Sequence, residues 1–213
     1  LRGTAGRGTP VAITLEKHLP VASGIGGGSS DAAAALRALA RLWSLKLPHQ
    51  EAARLGADVP MCLAATTLRA RGIGDEIEGV AGLPPLFMVL VNPGIAVPTP
   101  AIFRALQSRT NPPLPALPRR PDFPALVEWL ALTRNDLEAP ALTIAPPVGE
   151  ALSALRGAGA AFSRMSGSGA TCFGLFASDA QAERAAAAIA AAQPSWYVKA
   201  TRTIERADAD VAH

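Results

Sequence analysis

An α+β fold in two parts is what this chain predicts, on three observations. Stretches with the two-residue period of strands and stretches with the helical period of 3.6 are mixed along its length. The punctuation at Leu83-Pro84-Pro85 divides it near the middle. Of its 213 residues 49% are apolar and 17% charged, enough apolar material for real cores. Aromatics are only 5%, so packing has to lean on Ala, Leu, Val and Ile.

In order, LRGTAGRGTP reads as a loop entering a strand, as expected of a chain whose beginning lies upstream of Leu1. Thr9 to Leu19 alternates Val11, Ile13 and Leu15 with polar neighbours, the pattern of a half-buried strand. A Gly- and Ser-rich loop over 20–30 follows. Leu36, Leu39, Ala40 and Trp43 share one helical face, which predicts a helix from about Ser30 to Leu45, ended by Pro48. Glu51 to Leu55 offers a short helix, and Gly56 to Pro60 a turn. Leu86 to Val91 is unbroken apolar chain between turn residues, as in a buried central strand. Residues 111–124 hold too many prolines for a regular element. Helices are expected at Ala125–Leu132 and Val148–Leu155, the second stopped by Gly157. A strand at Thr171–Phe176, a helix at Asp179–Ala192 capped by Asp179, and a strand at Trp196–Ile204 complete the second part.

Composition excludes several function classes. The formal charge is +3, and the basic residues, densest at Arg119-Arg120 and around Lys199, Arg202 and Arg206, form no stripe. A pI of 9.3 on that small excess argues for no nucleic-acid partner, because no binding module accompanies it. No apolar run approaches the roughly 18 residues of a membrane span, so no membrane role is expected, and cytoplasm is the default location. Cys62 and Cys172 lie far apart in apolar runs and read as buried thiols.

Three segments carry chemistry. Ser23-Gly24-Ile25-Gly26-Gly27-Gly28-Ser29-Ser30 sits between a strand and a helix. Glycines let backbone N–H groups approach a ligand, and a helix N-terminus favours an anion. It is not a P-loop, which needs Gly-Lys-[Ser/Thr], nor a dinucleotide fingerprint, since the sixth position after Gly24 is Ser29. The plain alternative is a flexible turn of small residues. Ser29 and Ser30 can offer hydroxyls to phosphate or to a phosphate-borne magnesium. Asp58, in Leu55-Gly56-Ala57-Asp58-Val59-Pro60, has apolar neighbours and so reads as a partly enclosed carboxylate able to take a proton; its plain alternative is an Asx-turn or cap. Met165-Ser166-Gly167-Ser168-Gly169-Ala170-Thr171 is a second small-residue loop, or simply a strand-entry turn.

Taken together these segments resemble the GHMP kinase superfamily (galactose, homoserine, mevalonate and phosphomevalonate kinases). LPVASGIGGGSSDAAAAL, LGADVP, NPGIAVPTPAIF and MSGSGAT stand in the family order, and all four are similar to its diphosphocytidyl branch. The resemblance implies a two-domain α+β architecture with the active site in the interdomain cleft. Residues 1–83 would be the remainder of an N-terminal ATP-binding domain, 84–205 a ferredoxin-like C-terminal domain and 206–213 a tail. It implies ATP and Mg2+ as cofactors and diphosphocytidyl methylerythritol as small-molecule substrate, phosphorylated on its 2-hydroxyl in a monomer or homodimer. Pro20, Val21, Ala22, Ser23, Gly24, Ile25, Gly26, Gly27, Gly28, Ser29 and Ser30 would hold the ATP phosphates, with Ser30 at the metal. Asp58 would orient or deprotonate the hydroxyl. Gly167, Ser168 and Gly169 would line the phosphate region, with Thr99 and Phe103 near the cytidine. The family's opening Pro-Ala-Lys-[Ile/Leu]-Asn and Gly-Tyr-His segments have no counterpart here, and Lys17 and His18 read as surface residues. Another small-molecule kinase of the superfamily, or a non-catalytic nucleotide-binding remnant, are the competing readings.

Overall fold

The computed structural model describes residues 10–20, 23–47, 49–72, 74, 76–108 and 110–203. The chain divides into two compact units. One comprises the described residues within Leu1–His18 and Gly26–Ala81, the other those within Leu19–Ile25 and Gly82–Ile204.

The first unit is built on α1 (Gly27–Leu42), with α2 (His49–Ala52), α3 (Val59–Ala64) and an antiparallel hairpin of β1 (Leu68–Arg71) and β2 (Glu76–Gly79). Its small core joins Ala33, Ala52, Val59 and Leu63. Helix α1 begins earlier than its apolar period predicts, because Gly26 turns left-handed (φ 68°) and lets the glycines that follow enter the helix. It also stops earlier, at Leu42. Ser44 adopts φ 51°, its N–H bonds Arg41 O at 3.3 Å, and Leu45 N bonds Ala40 O at 2.8 Å. That pair of bonds is a Schellman stop, made here without glycine. The expected turn over Gly56–Pro60 forms at Ala57 and Asp58, where Val59 N bonds Gly56 O at 3.1 Å, and then runs into α3, with Pro60 in the first helical turn, where a missing N–H costs nothing.

The strand expected at Thr9–Leu19 is a correction. Over the described residues 10–19 no strand forms, and Val11, Ile13 and Leu15 stand 43%, 65% and 59% exposed. Alternation alone gives an extended segment; a strand also needs a neighbour to take its backbone bonds, and none pairs with it among the described residues.

The second unit has a four-stranded open sheet, β3 (Phe87–Asn92), β4 (Phe162–Met165), β5 (Cys172–Phe176) and β6 (Tyr197–Arg202), in the spatial order β4-β5-β3-β6. Every pairing is antiparallel. Between β3 and β4 come α4 (Thr99–Arg104), α5 (Phe123–Ala131), α6 (Glu138–Ile144) and α7 (Pro147–Gly157); α8 (Asp179–Ala192) links β5 to β6. The apolar run predicted as a central strand is one: β3 lies between β5 and β6, with Val89 and Val91 fully buried. Helices α7 and α8 share that core. On α8 the stripe is Ala182, Ala185, Ala186 and Ile189, the one-face pattern of an amphipathic helix. Its cap is Ser178, whose Oγ accepts from Gln181 N at 3.3 Å, not Asp179, which is the first helical residue.

Cys172 is buried beneath α7, its Sγ 3.7 Å from Val148 O. Burial, reinforced by Glu138 and opposed by Arg156, pushes its thiol from 9.0 up to about 12. The folded state therefore keeps a proton that the unfolded state releases. This contribution is complete below pH 9.0 and is lost as pH rises towards about 12. At pH 8 we expect no carbamidomethylation of Cys172 in the native protein and full labelling after denaturation, read by peptide mass. Rapid native labelling would contradict the buried placement.

Candidate active site

The glycine loop contributes to both units, and each half has its own geometry. In the first unit, Gly26 leads into α1 and the first turn of α1 carries no acidic residue to occupy its free N–H groups. Nothing lies within 4 Å of a Cβ built on Gly26 or Gly28, so the backbone there is open to a ligand. Asp31 follows, bound by Lys17 Nζ at 2.7 Å. Lys17, read from sequence as a surface residue, thus reaches the start of the helix that the glycine loop opens. Ser30 Oγ lies 3.6 Å from Cys62 Sγ, and Arg37 donates to Cys62 O at 2.8 Å. These bonds tie α1 to α3, the helix that Asp58 starts.

Asp58 is the N-cap residue of α3 but sits at φ −86°, ψ −10°, and its carboxylate makes no capping bond. Its backbone carbonyl accepts from Cys62 N at 3.1 Å. The side chain is exposed, not partly enclosed as its apolar neighbours suggested, because Val59 and Leu63 turn inward and leave it outside. A carboxylate released from capping is free to meet a substrate.

In the second unit the structure brings Ser23 and Gly24 against residues 166–171. Thr171 N donates to Ser23 O at 3.1 Å, and Ser166 Oγ donates to Gly24 O at 2.8 Å. A Cβ on Gly24 would fall 2.4 Å from Ser166 O and 2.7 Å from Gly169 O, and one on Gly167 3.0 Å from Gly24 O. Only glycine permits this approach. Thr171 Oγ1 in turn accepts from the buried Asn92 amide at 2.9 Å, which anchors the loop to the end of β3. Thr99 Oγ1 and Ser168 Oγ are 2.9 Å apart. Phe103, 47% exposed, and Gly167 line one cleft of about 780 Å³ with Arg134, Asn135 and Asp136. Pro20 and Ile25 are half-buried; Val21 and Ala22 lie outside the described residues.

Sequence reasoning passed over Asn135 and Glu138. Asn135 Nδ2 donates to Met165 O at 2.9 Å and Gly167 O at 2.8 Å, and Glu138 Oε2 accepts from Met165 N at 2.8 Å. The signal available was Arg134-Asn135-Asp136-Leu137-Glu138, a polar cluster directly before an apolar helix.

Two family models match, the GHMP kinases N terminal domain over residues 1–75 and the GHMP kinases C terminal over 114–195. The chain belongs to the GHMP kinases. Among curated members, a 4-diphosphocytidyl-2-C-methyl-D-erythritol kinase of Mesorhizobium japonicum is 58% identical over 204 residues, 94% of this chain and 69% of that protein. One of Cereibacter sphaeroides is 54% identical over 196 residues, 89% and 70% of the two chains. The crystal structure of a 4-(cytidine 5'-diphospho)-2C-methyl-D-erythritol kinase superposes with a TM-score of 0.72 at 36% identity, over 88% of this chain and 68% of that one. This GHMP kinase is accordingly an ATP-dependent small-molecule kinase by family, of mixed helix and sheet. Among the described residues no helix is long and apolar enough to cross a membrane.

Proposed function

We propose that this GHMP kinase transfers the γ-phosphoryl group of ATP to the 2-hydroxyl of 4-diphosphocytidyl-2-C-methyl-D-erythritol, a step of non-mevalonate isoprenoid synthesis. The observation that carries this reading is the mutual fit of Gly24 with Ser166 and Gly169, two glycine loops folded against each other where only backbone fits. Relatives above 50% identity bear that substrate in their names and supply its identity. Residues 1–83 act as the ATP-binding part and 84–205 as the C-terminal part. The reading places the reaction in the cytoplasm.

The roles follow from the chemistry. Phosphoryl transfer asks for positioning and charge stabilisation more than for covalent help. The free N–H groups at Gly27 to Ser29 and the positive end of α1 receive phosphate oxygens. Asp58 orients the acceptor hydroxyl and takes its proton as the oxygen attacks the γ-phosphorus and the bond to the β-phosphate oxygen breaks, with ADP leaving. Gly167, Ser168 and Gly169 line the phosphates, Thr99 faces Ser168, and the exposed Phe103 ring is available to stack on cytosine.

Among the described residues no three His, Cys, Asp or Glu side chains gather as a metal cage. A magnesium ion carried in on ATP keeps waters and needs few protein oxygens. The Ser30 hydroxyl, exposed and 3.6 Å from the Cys62 thiol, can give one. Magnesium, when bound, neutralises phosphate charge.

Purified natural protein given ATP, magnesium and the diphosphocytidyl alcohol should release ADP and form an acceptor heavier by one phosphoryl group. Homoserine and mevalonate should be inert, and CDP should compete with the acceptor. Faster turnover of either smaller alcohol would overturn the substrate assignment.

A further inference from the structure

We propose that Asn135 is a positioning residue for phosphoryl transfer, holding the Ser166–Gly169 loop in its working shape by gripping two loop carbonyls. The inference rests on the reading of that loop as a wall of the phosphate site.

A carboxamide has two N–H donors and one carbonyl acceptor, and all are assigned here. Leu137 N donates to Asn135 Oδ1 at 3.0 Å, which turns the NH2 group towards the loop. There it meets Met165 O and Gly167 O at 2.9 and 2.8 Å. A residue serving only the turn before α6 would use the carbonyl alone. The NH2 bonds instead reach a loop 30 and 32 residues further along the chain.

The grip falls on a turn with little freedom elsewhere. Gly167, at φ 55°, has Gly24 O on its other side, and neighbouring Ser166 holds that same oxygen. The loop is therefore clasped between Asn135 and Gly24. Asn135 is itself held from both directions. Upstream, the Arg164 guanidinium donates to Thr133 Oγ1 at 2.6 Å and Thr133 O at 2.7 Å. Downstream, the Glu138 carboxylate accepts from Met165 N. Beside it, Asp136 accepts from Arg134 Nε at 2.8 Å and from Asn111 at 3.0 Å. Phosphoryl transfer, like other reactions that depend on positioning, is sensitive to displacements of about 1 Å.

The discriminating substitution is Asn135→Asp. It keeps the acceptor for Leu137 N, so the turn before α6 is retained, but it replaces the NH2 by an oxygen facing two carbonyl oxygens. In the natural protein we expect kcat to fall roughly 10- to 100-fold, with the acceptor KM changed less than about threefold. Hydrogen exchange should speed at the Ser166, Gly169 and Thr171 amides while β3 and α8 stay protected. Asn135→Ala, without the added charge, gives the same readings if the Asn135→Asp variant does not fold. Unchanged exchange in the loop overturns the proposal, and so does faster exchange with unchanged kcat. If the unsubstituted protein does not phosphorylate the diphosphocytidyl alcohol, that substrate assignment falls by itself. Asn135 is then judged by loop exchange together with the affinity for a non-hydrolysable ATP analogue, expected to be about tenfold weaker in the variant.

Discussion

Asp58→Asn in the natural protein is expected to lower turnover roughly 10²- to 10⁴-fold, the usual worth of a positioned proton acceptor, while ATP-analogue affinity stays within about threefold. The fold should tolerate the change. Helix α3 depends on the Asp58 carbonyl, which accepts from Cys62 N, and not on the carboxylate, which caps nothing. The melting temperature should therefore move little. Comparison with Asp58→Ala separates two roles, because Asn still accepts a hydrogen bond but cannot take a proton. Equal losses in both variants mean proton transfer; a milder loss in Asn means orientation. Initial rates within about threefold of the unsubstituted protein would remove Asp58 from the reaction altogether.

Gly24→Ala has the largest expected effect on stability. At φ 74° an L-residue costs about 1–2 kcal/mol. The new Cβ would also stand 2.4 Å from Ser166 O, which forces the two loops apart. Overpacking of that kind costs about 1–3 kcal/mol. At about 2–4 °C per kcal/mol for a chain of this size, melting should drop by about 4–20 °C. Gly28→Ala provides the contrast. It meets nothing within 4 Å and lies inside α1, so melting should hold or rise slightly. Its methyl nevertheless covers backbone assigned to phosphate, and ATP affinity should fall at least about tenfold. A Gly24→Ala variant that melts with the unsubstituted protein contradicts the close packing of the loops. A Gly28→Ala variant that binds ATP normally shows that phosphate does not approach there.

Elements that write their whole pattern locally were legible. Helix α8 shows its stripe and its polar start within a few residues, and β3 shows an apolar run between turn residues. Strand β4 is only Phe162–Met165 and exists because β5 pairs with it, which nothing in those four residues announces. The hairpin of β1 and β2 is hidden by Arg and Glu on exposed edges. The segment 10–19 erred the other way, showing alternation without a pairing partner. The same division runs through the candidate site. Glycines betray themselves, because close backbone approach excludes other residues, and both loops stood out on that ground. Asn135 did not, since its role is set by carbonyls distant in the chain. The carboxylate of Asp58 was expected to be enclosed by its apolar neighbours, but a helix start points those neighbours inward and the acid out.

The bond from Ser166 to Gly24 spans 142 positions of chain. At ribosomal speeds of about 5–20 residues per second, Gly24 waits roughly 7–28 s for the partner that fixes its carbonyl. Thr171, which holds Ser23, is made a moment later still. During that interval α1 can form from its own residues, but the stretch before it has nothing to close upon. A nascent chain released before β5 would thus carry the glycine motif in its sequence without the geometry that gives it meaning.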